Sequence, residues 1–214
     1  MTPLNEQAYQ HLQMLIMTHK LSYDKIYSET KLSKELGISR TPFRDAIHRL
    51  AQEGYIDIIP SKGFTLHQLT SKDIIETFQV RSALECYCTL QIAKNAEQEP
   101  VKKLLKELLD ATETLKVILE TTKSIKDFCE YDFLFHTKII AYAENEQFSS
   151  LFDTFKYRMR KLAELSLAHE GRMLATYREH LAIVQAMEQG NAAQIYEITS
   201  RHMDRARLIN MEDL

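Results

Sequence analysis

Four side chains in the second half of the chain have the types and spacing of a metal site. Asp132 and His136 lie four residues apart in the segment EYDFLFH, so on a helix the carboxylate and the imidazole project from the same side. His180 and His202 lie in two later segments with helical periodicity and add two imidazoles. One carboxylate and three imidazoles suit a borderline divalent metal, with zinc expected first and nickel or manganese as alternatives. Such a site would keep coordination positions open for water or for the carboxylate of a bound ligand.

Arg81 is a candidate for binding that ligand, because it lies on an apolar helix face that includes Phe78 and Leu84. A guanidinium on such a face is costly unless it is paired. Glu85, one helical turn later, is one possible partner. The carboxylate of a bound effector is the other, since Arg offers a planar pair of donors to a carboxylate. The two interpretations are compatible.

A second group of residues, from Ser28 onward, has the pattern of a helix-turn-helix. Leu32 and Leu36 share one helical face before Gly37 ends the first helix. Ser39 is a good N-cap for a second helix, whose opposite faces are apolar and basic. A recognition helix places such basic N-terminal residues in the major groove.

A β-hairpin is predicted over residues 55–66, around a Ser-Lys-Gly turn, and it would form the wing of a winged helix. The alternative is an ordinary pair of packed helices with a surface hairpin, because basic helix faces are common. The residues that we predict to contact DNA are Lys31, Ser39, Arg40, Thr41, Arg44, Arg49, Lys62 and Gly63.

Proline and glycine divide the chain into two predicted domains, residues 1–69 and 70–214. After Phe64 only Pro100, Gly171 and Gly190 interrupt the sequence, so the second domain is predicted to be all-helical. The expected fold is mainly α, an N-terminal winged helix-turn-helix followed by a helical bundle. The bundle helices are predicted near residues 71–97, 99–120, 124–143, 145–169, 171–189 and 191–211.

Composition narrows the class of protein. The chain has 214 residues, is 44% hydrophobic and contains no run of about 18 apolar residues, so no membrane span is expected. The N-terminus is too polar for a signal peptide, which favours a cytoplasmic location. The net charge is −3, and residues 71–214 hold 19 basic and 23 acidic side chains, so DNA affinity would have to come from a local patch. The three cysteines form no CxxC pair and are expected to be buried thiols.

The N-terminal string resembles the winged-helix domain of the GntR family of bacterial transcription regulators. The resemblance covers residues 5–66, and it departs from the family where Thr30 replaces the usual Arg and where residues 18–25 replace a Gly and a Pro-Gly pair. The matching residues are Ser28, Glu29, Leu32, Leu36, Gly37, Ser39, Arg40, Thr41, Pro42, Arg44, Ala46, Leu50, Gly54, Gly63 and Phe64.

Residues 73–210 resemble the all-helical FCD effector domain of the FadR-type branch of that family. Its motifs match Asp132 with His136, the segment from Glu179-His180 to Ala186, and the final His202. The resemblance implies that these four Asp and His side chains bind a metal. A metal-free, hydrogen-bonded cluster is the alternative.

Together the two halves predict a metabolite-responsive transcription regulator, and the family resemblance favours a repressor. Winged helices normally bind two-fold sites as dimers, so a homodimer on a pseudo-palindromic double-stranded operator is expected, controlled by a small carboxylate effector. The competing interpretations are a metal-dependent enzyme and a metal-binding module built on the helical bundle. The sequence offers no general base with motif support beside the metal residues, so we predict that the chain is not an enzyme.

Overall fold

The computed structural model describes residues 2–213 and divides the chain into two compact units. The first unit comprises the residues up to Leu69 together with the short segment Thr154–Arg158. The second comprises Thr70–Asp153 and Met159 onward. Among residues 2–213, no helix combines the length and the apolar character needed to cross a lipid bilayer.

The first unit is a winged helix-turn-helix, as predicted. Ser28 begins the second helix by accepting a hydrogen bond from the backbone N–H of Lys31. Gly37, with a φ of +66°, makes the left-handed turn between the second and third helices. The helices and strands of this unit are α1 (Leu4–Met17), α2 (Glu29–Glu35), α3 (Arg40–Gln52), β1 (Ile56–Ile59) and β2 (Gly63–Leu66).

The core of this unit lies between α1 and α3, where the fully buried Leu12 belongs to the same cluster as Phe43 and Ile47. The two strands form an antiparallel hairpin in which Ile59 lies opposite Gly63. Tyr27 adds a bridge beside this hairpin, because its backbone N–H and C=O both bond to Phe64. The wing is therefore attached to the chain segment that precedes α2.

The second unit is all-helical, as predicted. Thr70 and Asp73 form a reciprocal capping box that begins its first helix. The first and last helices of the unit pack together, and α5 packs against both α6 and α9. The helices are α4 (Ser71–Lys94), α5 (Glu99–Glu120), α6 (Ile125–Ala141), α7 (Glu146–Thr154), α8 (Lys156–Leu167), α9 (Arg172–Glu188) and α10 (Ala192–Glu212). The last residue of α7 and the first three of α8 belong to the first unit.

The prediction of a single helix over residues 145–169 is wrong, because α7 ends at Thr154 and α8 begins at Lys156. Neither glycine nor proline stands at this break. Thr154, which is β-branched, and Phe155 both lower the local helix propensity. This signal is too weak to predict a break from the sequence. The other five predicted helices are present, with ends within about three residues of those expected.

The three cysteines are free and buried, as expected. Burial raises the pKa of the Cys86 thiol to about 11 and that of Cys88 to about 12. Both therefore stay protonated near neutral pH, and they behave as small apolar side chains in the bundle.

Candidate functional site

Three histidines from three helices meet inside the second unit. His136 comes from α6, His180 from α9 and His202 from α10, and all three are buried. Each offers a ring nitrogen that lies within 4.8 Å of those of the other two. Their ring centroids are separated by 5.0 to 5.3 Å. The structure thus brings together imidazoles that are up to 66 positions apart in the sequence.

Asp132 adjoins this cluster from the same helix as His136. Its Oδ1 lies 3.4 Å from Nε2 of His180 and 3.9 Å from Nε2 of His136. Burial raises the pKa of Asp132 to about 6, although the nearby charge of Arg81 opposes this shift. A cation held among these groups would favour the ionised carboxylate.

Glu85 and Glu179 orient two of the imidazoles. Glu85 Oε2 lies 2.5 Å from Nδ1 of His136, and Glu179 Oε2 lies 2.6 Å from Nδ1 of His202. A carboxylate that accepts a hydrogen bond from Nδ1–H fixes the tautomer and leaves the Nε2 lone pair available. The arrangement is the one that metal-binding histidines commonly have.

Arginines hold these two carboxylates in turn. Arg81 Nε donates to Glu85 at 2.9 Å, and Arg172 donates two hydrogen bonds to Glu179 at 2.8 and 3.0 Å. Burial would raise the pKa of Glu179, but the hydrogen bonds from His202 and Arg172 outweigh it and hold that pKa well below its usual range. Glu179 is therefore a carboxylate in the folded protein.

The buried imidazoles fit a divalent cation. Within residues 2–213, Nε2 of His136 and both ring nitrogens of His180 have no hydrogen-bond partner. The His180 ring is fully buried and stacks on Phe135 with centroids 4.0 Å apart. Burial also lowers the pKa of His136 and of His180 well below the usual range, so both rings are neutral and have a free lone pair. Buried polar atoms without partners are costly, and a cation would satisfy one lone pair on each of these two rings.

A small cavity of about 20 Å³ lies beside the cluster and is lined in part by Arg81, Asp132, Arg172 and Thr176. Nη2 of Arg81, Nε of Arg172 and Oγ1 of Thr176 have no hydrogen-bond partner in the described part of the chain. The volume suffices for about one water molecule. Donors without partners therefore surround a polar space next to the histidines.

On the first unit, most residues predicted to contact DNA are exposed. Arg40 and Thr41 are exposed at the start of α3, where Ser39 occupies the N-cap position with no capping hydrogen bond from its side chain. Arg44 is also exposed, and its Nε lies 3.4 Å from Glu29. Lys31 on α2 and Lys62 at the tip of the hairpin are exposed as well.

Two predicted DNA contacts have roles inside the unit. Arg49 donates to Glu6 and Glu53, each at 2.9 Å, and its guanidinium lies 3.8 Å from the centroid of the Tyr9 ring. Gly63 is buried, and a Cβ there would lie 2.0 Å from the backbone oxygen of Tyr27. Of the two residues predicted to contact DNA at the wing tip, Lys62 is exposed and Gly63 is not.

Sequence reasoning missed the roles of Glu179, Arg172 and Arg205. Arg172 and Glu179 are seven residues apart and share a face of α9, which is a recognisable helical spacing. The contacts of Glu179 with His202 and with Arg205 Nη1, the latter at 2.9 Å, join different helices and have no local sequence signal.

Each of the two units matches a known protein family. Residues 4–66 match the family described as bacterial regulatory proteins, gntR family, and residues 76–205 match the FCD domain. The chain belongs to the GntR family of transcription regulators, and it carries an FCD domain. It is a DNA-binding transcription regulator of the GntR/FCD type. Both are families of transcriptional regulators and not of enzymes, so the enzyme alternative is set aside.

Relatives and solved structures of this GntR/FCD regulator cover most of its length. An HTH-type transcriptional regulator, YdhC of Bacillus subtilis, is 25% identical over 190 residues, which are 89% of this chain and 83% of the relative. The gluconate operon transcriptional repressor of the same organism is 30% identical over 160 residues, covering 75% of this chain and 63% of the repressor. The solved structure of E. coli McbR/YncC has the same fold, with a TM-score of 0.72 at 17% identity over 100% of this chain and 99% of that one.

Proposed function

We propose that this GntR/FCD regulator is a repressor controlled by a small carboxylate, which binds beside a divalent metal in the helical unit. The observation that carries the proposal is the buried cluster of His136, His180 and His202, three of whose ring nitrogens have no hydrogen-bond partner in the described chain. The proposed domains are residues 1–69 for DNA binding, and 70–214 for effector binding and dimerisation.

The proposed metal ligands are Asp132, His136, His180 and His202. This mixed oxygen and nitrogen donor set favours zinc, and nickel or manganese would also be accepted. When bound, the metal would supply a Lewis-acidic centre that attracts carboxylate oxygens. The protein contributes a buried environment and the two carboxylates, Glu85 and Glu179, that orient the rings.

The proposed carboxylate site lies between the metal ligands and Arg81. Nη2 of Arg81, Nε of Arg172 and Oγ1 of Thr176 are buried donors without partners, and they line one cavity with Asp132 and His136. A carboxylate would satisfy several of them at once, because its two oxygens accept charge-assisted hydrogen bonds. The name of the gluconate operon repressor makes a sugar acid a reasonable first probe.

The cavity also limits the size of the ligand. At about 20 Å³ it is too small for an acyl chain, and even a short hydroxy acid would need neighbouring side chains to move. The unpaired donors, rather than the volume, support a small acid, and we propose a hydroxy acid, sugar acid or dicarboxylate. Such a ligand would change DNA affinity only if it binds one conformation of the protein more tightly than another.

Replacing Arg81 by Lys tests the carboxylate site without leaving Glu85 opposite a neutral side chain. The substitution keeps a positive charge but removes the planar pair of donors, so we expect binding of the matching acid to weaken by about 10-fold to 100-fold. Calorimetry of the zinc-loaded protein, with gluconate and a panel of hydroxy acids and dicarboxylates, measures this change.

Arg207→Lys is the matched control, because Arg207 lies on α10 but does not line this cavity. It should leave acid affinity and zinc content unchanged. Equal affinity for the acid in the wild type and in Arg81→Lys would show that the carboxylate binds elsewhere.

Replacing Arg40 and Arg44 by Ala tests DNA recognition. Both side chains are exposed near the N-terminus of α3, so each substitution should cost about 1–3 kcal/mol of operator binding if the arginine contacts a base. A gel shift with the DNA upstream of the regulator's own gene or neighbouring genes measures the loss at fixed salt.

Lys116→Ala controls for the loss of one positive charge, because Lys116 is partly exposed on α5 in the helical unit and pairs with the exposed Glu113. It should bind the operator normally. We propose that the protein binds as a homodimer on a two-fold site, so the variants should also keep the sedimentation behaviour of the wild type. Undiminished operator affinity in the Arg40/Arg44 double variant would exclude α3 as the recognition helix.

A further inference from the structure

A second cleft opens between α9 and α10 of the helical unit. Its volume is about 380 Å³, which lies in the range of small-molecule sites. Arg178 contributes from α9, and Arg201 and Arg205 contribute from α10. Three guanidinium groups around one cleft stand out in a part of the chain that has more acidic than basic residues.

The three arginines differ in how they are paired. The side chain of Arg178 has no hydrogen bond or ion pair with any other residue in the described chain. Arg201 pairs with Glu197 one helical turn earlier, and both side chains are more than half exposed. Such exposed pairs contribute little stability, so the guanidinium of Arg201 can turn to another partner at low cost. Arg205 donates to the buried Glu179 at 2.9 Å.

We propose that this cleft binds a small metabolite with two or more negative charges, held between Arg178 and Arg201. Planar guanidinium groups match the oxygen pairs of phosphate and carboxylate groups, and two of them on facing helices would fix the orientation of one anion. Ala182 and Ile198 give the cleft an apolar part that would accept a short carbon skeleton. Glu179, Glu197 and His202 also line the cleft, so it borders the histidine cluster. Arg178 and Arg201 do not line the cavity of the proposed carboxylate effector, and binding between them would not require the metal.

Arg178 and Arg201 are the residues to test. Removing Arg178 leaves no partner unsatisfied, and removing Arg201 frees only the exposed Glu197. Arg205 is unsuitable for this test, because it donates to Glu179, which also contacts His202. Removing Arg205 would therefore disturb the histidine cluster. Arg207→Ala is the matched control, since Arg207 lies on the same helix, pairs with Asp204 and does not line the cleft.

Calorimetry on the full-length protein, with glycerol 3-phosphate and with tricarballylate as probes, tests the proposal. We expect at least one probe to bind, and the stronger of the two identifies a phosphate or a polycarboxylate as the preferred group. Arg178→Ala and Arg201→Ala should each weaken binding about tenfold, whereas Arg207→Ala should not change it. Binding should persist after chelation of metals and in the His136→Ala variant.

Three results would overturn the proposal. Neither probe binding at millimolar concentration would show that the cleft has no affinity for small anions. Unchanged binding in the Arg178/Arg201 double variant would place the anion elsewhere. Binding that disappears on chelation would assign it to the metal-dependent carboxylate site, and this outcome separates failure of the second site from failure of the proposed function.

Discussion

Removal of the divalent metal that we propose for the histidine cluster should lower the melting temperature of the helical unit by about 10 °C. A ligand that binds only the folded state stabilises it by about 4 kcal/mol when its concentration is 1,000 times its dissociation constant. For a unit of this size, each kcal/mol corresponds to about 2–4 °C. Differential scanning calorimetry of zinc-loaded and chelator-treated protein, with elemental analysis of each sample, measures the shift.

The histidine variants show whether the proposed cluster holds this metal. His180→Ala alone is ambiguous, because the fully buried ring stacks on Phe135 and its loss also leaves a cavity. The informative quantity is the difference between the zinc-loaded and stripped melting temperatures of the same variant. That difference should almost vanish in His136→Ala and His180→Ala.

His169→Ala is the matched control for the cluster. His169 is a partly exposed histidine that contacts Asp213 rather than the other three rings, so its variant should keep the full difference of the wild type. A zinc-dependent shift of wild-type size in the His136/His180/His202 triple variant would refute the assignment.

The contrast between His136 and Glu85 illustrates which parts of the site can be predicted from sequence. The pair of Asp132 and His136 is a local pattern, since a spacing of four residues places both side chains on one side of a helix. The hydrogen bond between His136 and Glu85 joins residues 51 positions apart. Which of many helical glutamates meets a given ring depends on how α4 and α6 pack, and no local pattern records that packing.

Arg49 and Gly63 show a second limit of sequence reasoning. A basic residue on the recognition helix and a glycine at the tip of a hairpin both suggest contact with DNA. The structure adds that Arg49 has two carboxylate partners and an aromatic neighbour, Tyr9. It also shows that Gly63 is buried against the backbone of Tyr27. Glu53 is one helical turn from Arg49, but Glu6 lies 43 positions before it, and Tyr27 and Gly63 lie on either side of the helix-turn-helix in the sequence. A structural role could therefore not be separated from a DNA-binding role beforehand.

Replacing Gly63 by Ala should detach the wing from the segment before α2. Gly63 has a φ of +130°, which side-chain-bearing residues rarely adopt, and its added Cβ would lie 2.0 Å from the carbonyl oxygen of Tyr27. The carbonyl oxygen is a backbone atom and the Cβ is bonded directly to the backbone, so neither can rotate away as the end of a flexible side chain would. Strain of this kind should cost about 3 kcal/mol locally, at the upper end of the range for unfavourable backbone conformations.

The backbone amides of Tyr27 and Phe64 report this loss directly, because each donates to the other residue's carbonyl, at 2.7 and 3.1 Å. Amide hydrogen exchange should show that their protection falls by about 100-fold in Gly63→Ala, since 1.4 kcal/mol corresponds to a factor of ten. Gly37→Ala is the matched control, because Gly37 also has a positive φ, +66°, but a Cβ there meets no atom within 4 Å. It should pay only the cost of the left-handed conformation, about 1 kcal/mol, and keep the protection of both amides. If Gly63→Ala retained that protection, the glycine would not be required for attachment of the wing, and its role would have to be sought at the DNA.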